Sequence, residues 1–138
     1  SMVKTVAIIL ARLGSTRLPG KVLMDLEGSP VLSWVVNSVQ SAVEHVVVAT
    51  TTLEADNRIA DWCRENGVHC FRGSENNVLQ RFAGAAREYK ADIVLRFTAD
   101  CPLLDPVVIQ EVIRLSAMTG ADYASNVDPA TYPDGLDT

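Results

Sequence analysis

A three-layer α/β/α sandwich around a mostly parallel sheet is the fold class that this chain predicts, on three observations. Short apolar runs alternate with stretches of helical period along the 138 residues, which is the signature of βαβ units with helices on both faces of a sheet. The apolar runs are continuous instead of alternating, so they read as strands covered on both sides. The boundaries carry helix punctuation: a capping residue with proline at a start, glycine at a stop.

The elements follow in order. Val6-Ala7-Ile8-Ile9-Leu10 is the first strand. A long loop leaves it, and helical patterning resumes at Ser29-Pro30, with Ser29 as cap and Pro30 at the first helical position. Val31, Leu32, Val35, Val36 and Val39 then fall on one helical face. Val46-Val47-Val48-Ala49 is a second strand, and Thr50, Thr51 and Thr52 end it. Thr51 with Glu54 has the spacing of a capping box. Ile59, Ala60 and Cys63 face inward on the next helix, which Asn66-Gly67 stops. A short strand runs from Val68 to Phe71, and Arg72 to Glu75 is a loop. Val78, Leu79, Phe82, Ala83 and Ala86 form another helical stripe, and Ile93 to Phe97 a further strand. Asp105-Pro106 repeats the cap-plus-proline start for a helix marked by Val108, Val112, Ile113 and Leu115 and closed by Gly120. Ala121 to Ser125 begins one more strand.

The chain is expected to be one domain over residues 1–138, with no internal repeat or linker. Apolar residues make up 48% and charged residues 21%, which excludes a disordered chain. No apolar run approaches the ~20 residues of a membrane span. The net charge of −5 argues against nucleic acid as a partner, since duplex binders carry a basic face. Cys63, Cys70 and Cys101 are odd in number and lack zinc-site spacing, so they read as reduced thiols of a cytoplasmic protein. Ser1 before Met2 reads as a remnant of an expression tag.

Against that acidic background the loop Ala11-Arg12-Leu13-Gly14-Ser15-Thr16-Arg17-Leu18-Pro19-Gly20-Lys21 holds three cations and no acid. It leaves the C-terminal end of the first strand, where open α/β sheets bind ligands. Backbone amides freed by Gly14 and Gly20, the hydroxyls of Ser15 and Thr16, and the charges of Arg12, Arg17 and Lys21 together suit a polyphosphate. The bland alternative is a solvated loop with scattered charges. The loop is neither a dinucleotide fingerprint nor a Walker motif, because Lys21 precedes Val22.

A second constellation, Arg96-Phe97-Thr98-Ala99-Asp100-Cys101-Pro102-Leu103, lies at the same end of a later strand. Asp100 falls on the ligand edge. Asp100 is either a turn residue or a carboxylate for Mg²⁺, which takes one or two carboxylates plus phosphate oxygens. Asp105 reads as the cap of the following helix. Arg87 fits the solvated face of a helix, Arg81 stays open between that face and a ligand contact, Trp34 and Trp62 read as packing residues, and His45 and His69 share no metal-ligand spacing.

Both constellations resemble the cytidylyltransferases that make CMP-sugars: the acylneuraminate and deoxyoctulosonate enzymes and, most closely, the spore-coat polysaccharide subgroup. Their opening motif, A-R-x-x-S-x-R-L-P-G-K, is matched by Ala11-Arg12, Ser15 and Arg17-Leu18-Pro19-Gly20-Lys21. Their D-x-P-L motif is matched by Asp100, Pro102 and Leu103. Arg72 to Phe82, Asp122 to Asn126 and Tyr132 to Asp137 are similar to the spore-coat pattern.

The resemblance implies a nucleotide-diphospho-sugar transferase fold of the glycosyltransferase-A-like kind and CMP transfer from CTP to a sugar hydroxyl. It implies Arg12, Lys21 and Asp100 as catalytic residues. The nucleotide would be bound by Ala11, Arg12, Gly14, Ser15, Thr16, Arg17, Lys21, Arg72, Ser74 and Thr98, and Mg²⁺ by Asp100 and Asp137. Thr50-Thr51-Thr52 departs from the Ala/Ser-Thr-Asp of the sialate and octulosonate enzymes. Family members continue beyond this length with sugar-binding residues and a dimerisation arm, so the chain is expected to lack its acceptor and dimerisation region. A homodimer is an assembly that the likeness allows. A non-catalytic nucleotide-binding domain is the rival reading. A flavodoxin-like module ranks third, since its phosphate loop would not carry three cations.

Overall fold

A computed structural model describes residues 3–14, 23, 25–26, 29–99 and 125–127. Strand β1 (Thr5–Leu10) lies at the centre of a five-stranded sheet. Strand β4 (His45–Thr51) and then β5 (His69–Gly73) lie on one side of it. Strand β6 (Ile93–Thr98) and then β7 (Ser125–Val127) lie on the other. Every pairing in this sheet is parallel. A separate antiparallel pair, β2 (Asp25–Leu26) with β3 (Ser29–Pro30), precedes the first helix.

The covering helices divide by face. Helix α1 (Val31–Gln40) and helix α2 (Asn57–Glu65) bury Val35, Val36, Val39, Ile59 and Cys63 against Ala7, Ile9, Val46, Val48, Leu95 and Phe97. Helix α3 (Val78–Glu88) buries Phe82 and Ala85 against Val6, Ile8, Leu10, Val47 and Ala49 on the other face. Successive residues of β1 thus serve opposite layers, which is why its apolar run is continuous. The three-layer arrangement expected from the sequence is the one observed.

Local details differ. Pro30, not Ser29, takes the cap position of α1, and no side chain caps that helix; Ser29 and Pro30 are engaged in pairing with Leu26 and Asp25 instead. The capping box of Thr51 and Glu54 does not form. A short 3₁₀ turn, Glu54–Asp56, precedes α2, and the Thr51 hydroxyl turns to Asp56. Strand β5 runs on through Arg72 and Gly73, which the sequence placed in a loop. Leu79 is 73% exposed and Val78 is also exposed, so the buried stripe of α3 runs through Arg81, Phe82 and Ala85. Phe71 explains the shift. Its ring packs so tightly on α3 that a Cβ at Gly84 would lie 2.8 Å from its Cζ, and this contact sets the face that α3 presents to the sheet. The helix expected over 105–120 lies outside the described residues, and the last strand begins at Ser125.

Candidate functional site

The strand order sets the position of the site. From β1 the chain first builds outward through β4 and β5, then crosses back to add β6 on the opposite edge of β1. The C-terminal ends of β1 and β6 therefore flank the switch point, where the loops diverge and leave a crevice. Register holds the two ends together: Leu10 pairs with Thr98, and the Ala99 amide donates to the Leu10 carbonyl at 3.1 Å. The Ala11 amide continues the ladder on the other side, to the Ala49 carbonyl at 3.1 Å.

Of the expected nucleotide-binding residues, Ala11, Arg12, Gly14, Arg72, Ser74 and Thr98 are described. Ser15, Thr16, Arg17 and Lys21, with the metal candidates Asp100 and Asp137, lie outside the described residues. Ala11 is buried and contributes backbone. Arg12 is half-buried, and one guanidinium nitrogen donates to the Gly14 carbonyl at 2.8 Å. That bond curls the first turn of the loop back on itself. Gly14 is exposed, with Arg12 the one side chain near its Cβ direction among the described residues. Thr98, half-buried, closes β6 beside this loop.

Arg72 and Ser74 stand at the end of β5. Arg72 donates from Nε to the Thr51 carbonyl, from one terminal nitrogen to Asn57 Oδ1 and from the other to the Leu53 carbonyl, at 2.8, 2.7 and 2.8 Å. It thus fastens the turn after β4 to the end of β5. A guanidinium has five N–H donors, so two are left among the described residues. Ser74 is a hinge point for α3: its Oγ accepts from the Asn77 amide at 3.1 Å, and its carbonyl accepts from Arg81 at 2.8 Å. Asn77 in turn caps α3, accepting from the Gln80 amide at 2.9 Å.

Two buried charged residues stand beside these, Asp56, which sequence reasoning passed over, and Arg81. Asp56 is buried; it accepts the Leu13 amide at 2.8 Å through Oδ1 and the Thr51 hydroxyl through Oδ2. The carboxylate therefore bridges the cationic loop and the end of β4. Its position two residues past an apparent capping box hid it. Arg81 is 2% exposed, which rules out the solvated face that sequence allowed for it, while Arg87 is exposed as expected. Burial, with the positive charges of Arg12 and Arg96 nearby, pushes the Arg81 guanidinium down from its usual range, and Asp56 opposes them. Trp62 packs against the core cluster of α1 and α2. Among the described residues no three His, Cys, Asp or Glu side chains group as metal ligands, and no helix is long and apolar enough to cross a membrane.

The described part of the site sets the Arg12 guanidinium beside the end of β6, with the Asp56 carboxylate bonded inward and the Ala11, Leu13 and Ala99 amides engaged within the fold. Such a surface can hold a multiply charged anion and neutralise charge that builds on it. A wider depression of about 610 Å³, lined by Lys4, Thr5 and Glu44 among others, opens at the opposite, N-terminal edge of the sheet.

A family model described as cytidylyltransferase matches residues 6–132. The spore coat polysaccharide biosynthesis protein SpsF of Bacillus subtilis is 37% identical over 122 residues, covering 84% of this chain and 51% of SpsF. A solved cytidylyltransferase from Leptospira borgpetersenii superposes with a TM-score of 0.78 at 37% identity, over 83% of this chain and 49% of that one. A CMP-2-keto-3-deoxy-manno-octonic acid synthetase, solved in complex with CTP, superposes with a TM-score of 0.73 at 25% identity, over 86% and 49% of the respective chains. The chain spans about half the length of these relatives.

Proposed function

Since this chain belongs to the cytidylyltransferase family, we propose that it serves transfer of CMP from CTP to the hydroxyl of an acidic sugar, with release of pyrophosphate. The observation that carries this reading is the placement of Arg12 and the loop after β1 at the switch point, beside the end of β6.

In-line attack on the α-phosphorus builds negative charge on the departing pyrophosphate. Little covalent chemistry is asked of the protein, so positioning and electrostatics dominate. Arg12, with Ser15, Thr16, Arg17 and Lys21 of the same loop, would bind the β- and γ-phosphates, and the amides near Ala11 and Gly14 would follow the phosphate chain. Arg72 has two donors left after fastening its turn, and these with the backbone near Ser74 would read the polar edge of the base.

Magnesium is the expected cofactor, with Asp100 and Asp137 as its carboxylates. What supports this reading is the register of the sheet, in which β6 ends level with β1, Thr98 beside Leu10. Bound there, Mg²⁺ would supply charge neutralisation at the α-phosphate. Cytoplasmic location is supported by Cys63 and Cys70, which are free thiols.

The test is pyrophosphate release from CTP with Mg²⁺ and a panel of acidic sugars, run on this chain and on one lengthened at its C-terminus to the relatives' size. Sugar-dependent release with CTP is the expected result. Binding of CTP with no release from either chain would instead support a nucleotide-binding domain without catalysis.

A further inference from the structure

Three arginines stand on the α3 side of the sheet near its C-terminal edge, and only Arg12 belongs to the loop used above. Arg12 follows two residues after Leu10, which faces α3. Arg96 pairs in register with Ile8, which also faces α3, and it borders a cavity of about 280 Å³ with Val78, Leu79 and Phe82. Arg81 lies in the first turn of α3, next to Phe82.

Among the described residues neither Arg81 nor Arg96 is fully satisfied. Arg81 donates through one terminal nitrogen to the Ser74 carbonyl, but its buried Nε has no partner; the buried Nε of Arg96 has none either. Among the described residues neither forms an ion pair. Asp56, the acid near enough to act on Arg81, is committed to the Leu13 amide and the Thr51 hydroxyl. A guanidinium does not give up its proton in a protein. Among the described residues the cluster therefore sets three positive charges against one carboxylate, partly withdrawn from water, where uncompensated charge is costly. A ligand with several negative charges, entering beside the half-exposed Arg12, completes it.

We propose that Arg81 and Arg96 are charge-selecting residues of this site: from behind Arg12 they favour a nucleoside triphosphate over the monophosphate, and they let inorganic pyrophosphate bind without a nucleoside. The inference rests on the nucleotidyl-transfer reading given above. Arg81 acts through space and through Ser74, as a positioning residue. The attraction of the cluster scales with the number of charges on the ligand, whereas contacts to base and ribose are the same for CTP and CMP.

Calorimetry with CTP, CMP and sodium pyrophosphate, at fixed Mg²⁺ and ionic strength, tests this on wild type, Arg96→Met, Arg96→Lys, Arg81→Met and Arg81→Lys. Wild type should bind pyrophosphate alone. Arg96→Met should weaken CTP and pyrophosphate about tenfold and CMP much less, and Arg96→Lys should recover most of the loss. The Arg81 pair should repeat the pattern; should Arg81→Met not fold, the Arg96 pair decides. Equal weakening of CTP and CMP would overturn the proposal, because a merely structural role predicts it. CTP binding without pyrophosphate binding would also overturn it and leave the transferase reading intact. Pyrophosphate binding without CTP binding would do the reverse.

Discussion

Asp56 shows how much one buried carboxylate decides. It joins the Leu13 amide and the Thr51 hydroxyl, and it is the counter-charge near Arg81. Asp56→Ala orphans a buried amide and leaves that guanidinium less compensated, so it should cost roughly 3 kcal/mol in urea unfolding. Asp56→Asn keeps an acceptor oxygen and should cost clearly less; equal costs would mean that charge plays no part. Asp100 gives an opposite kind of test. If it holds Mg²⁺, Asp100→Asn abolishes the Mg²⁺-dependent part of CTP affinity, since a hard cation needs the charge. If it is only a turn residue, asparagine serves as well, and titrations with and without Mg²⁺ tell the two apart. Cys70 carries the pH dependence. The Cys63 thiol donates to its sulfur and the Arg72 charge adds to this, so Cys70 lies below the usual thiol range despite partial burial. Cys63, the donor and fully buried, is pushed up. A lowered pKa means more thiolate at a given pH, so iodoacetamide near pH 7 should label Cys70 well before Cys63 in peptide mapping. Cys63→Ala removes that donor and should slow the labelling of Cys70; labelling of Cys63 first would contradict this assignment.

At the scale of the element, α2 and α3 close in the same way from different residues. After α2, Gly67 adopts φ +68°, the Val68 amide returns to the Cys63 carbonyl at 2.9 Å and the Gly67 amide to Arg64 at 3.4 Å. After α3, Lys90 adopts φ 54°, the Ala91 amide returns to Ala86 at 3.0 Å and the Lys90 amide to Arg87 at 3.1 Å. Both are Schellman closures, which need a left-handed residue after the cap. Glycine enters that region freely, whereas a side chain costs roughly 1 kcal/mol. Gly67→Ala should therefore destabilise by about 1 kcal/mol and Lys90→Gly should stabilise by a similar amount, both read from denaturant midpoints. A Lys90→Gly variant weaker than wild type would show that the lysine makes compensating contacts. The glycine stop was legible in the sequence because Asn66-Gly67 is a common helix ending. The lysine stop was not, since nothing in Tyr89-Lys90-Ala91 marks a left-handed position.

For the whole molecule, the chain and a bound nucleotide should melt as one unit, because the crevice is built from loops at the ends of adjoining strands. CTP with Mg²⁺ should raise the melting temperature more than UTP, ATP or GTP at equal concentration. Saturation at about a hundred times the dissociation constant adds some 2.7 kcal/mol. A larger shift with UTP or a purine triphosphate would move the chain to another nucleotide class. The sequence by itself determined the layered α/β architecture, because continuous apolar runs and period-3.6 stripes can bury their surfaces in few other ways. It also determined that the loop from Ala11 to Lys21 is cationic, and its motif pointed to cytidylyltransferases before any fold was in hand. Only the tertiary structure decided that Arg81 turns inward and that Asp56 joins β4 to the cationic loop. Those facts depend on how α3 docks through Phe71 and Gly84, and on the crossing that returns β6 to the side of β1. Contacts between residues tens of positions apart leave no local period or cap signal, so a side chain that reads as solvated along one helix can become the buried charge of a site assembled from four elements.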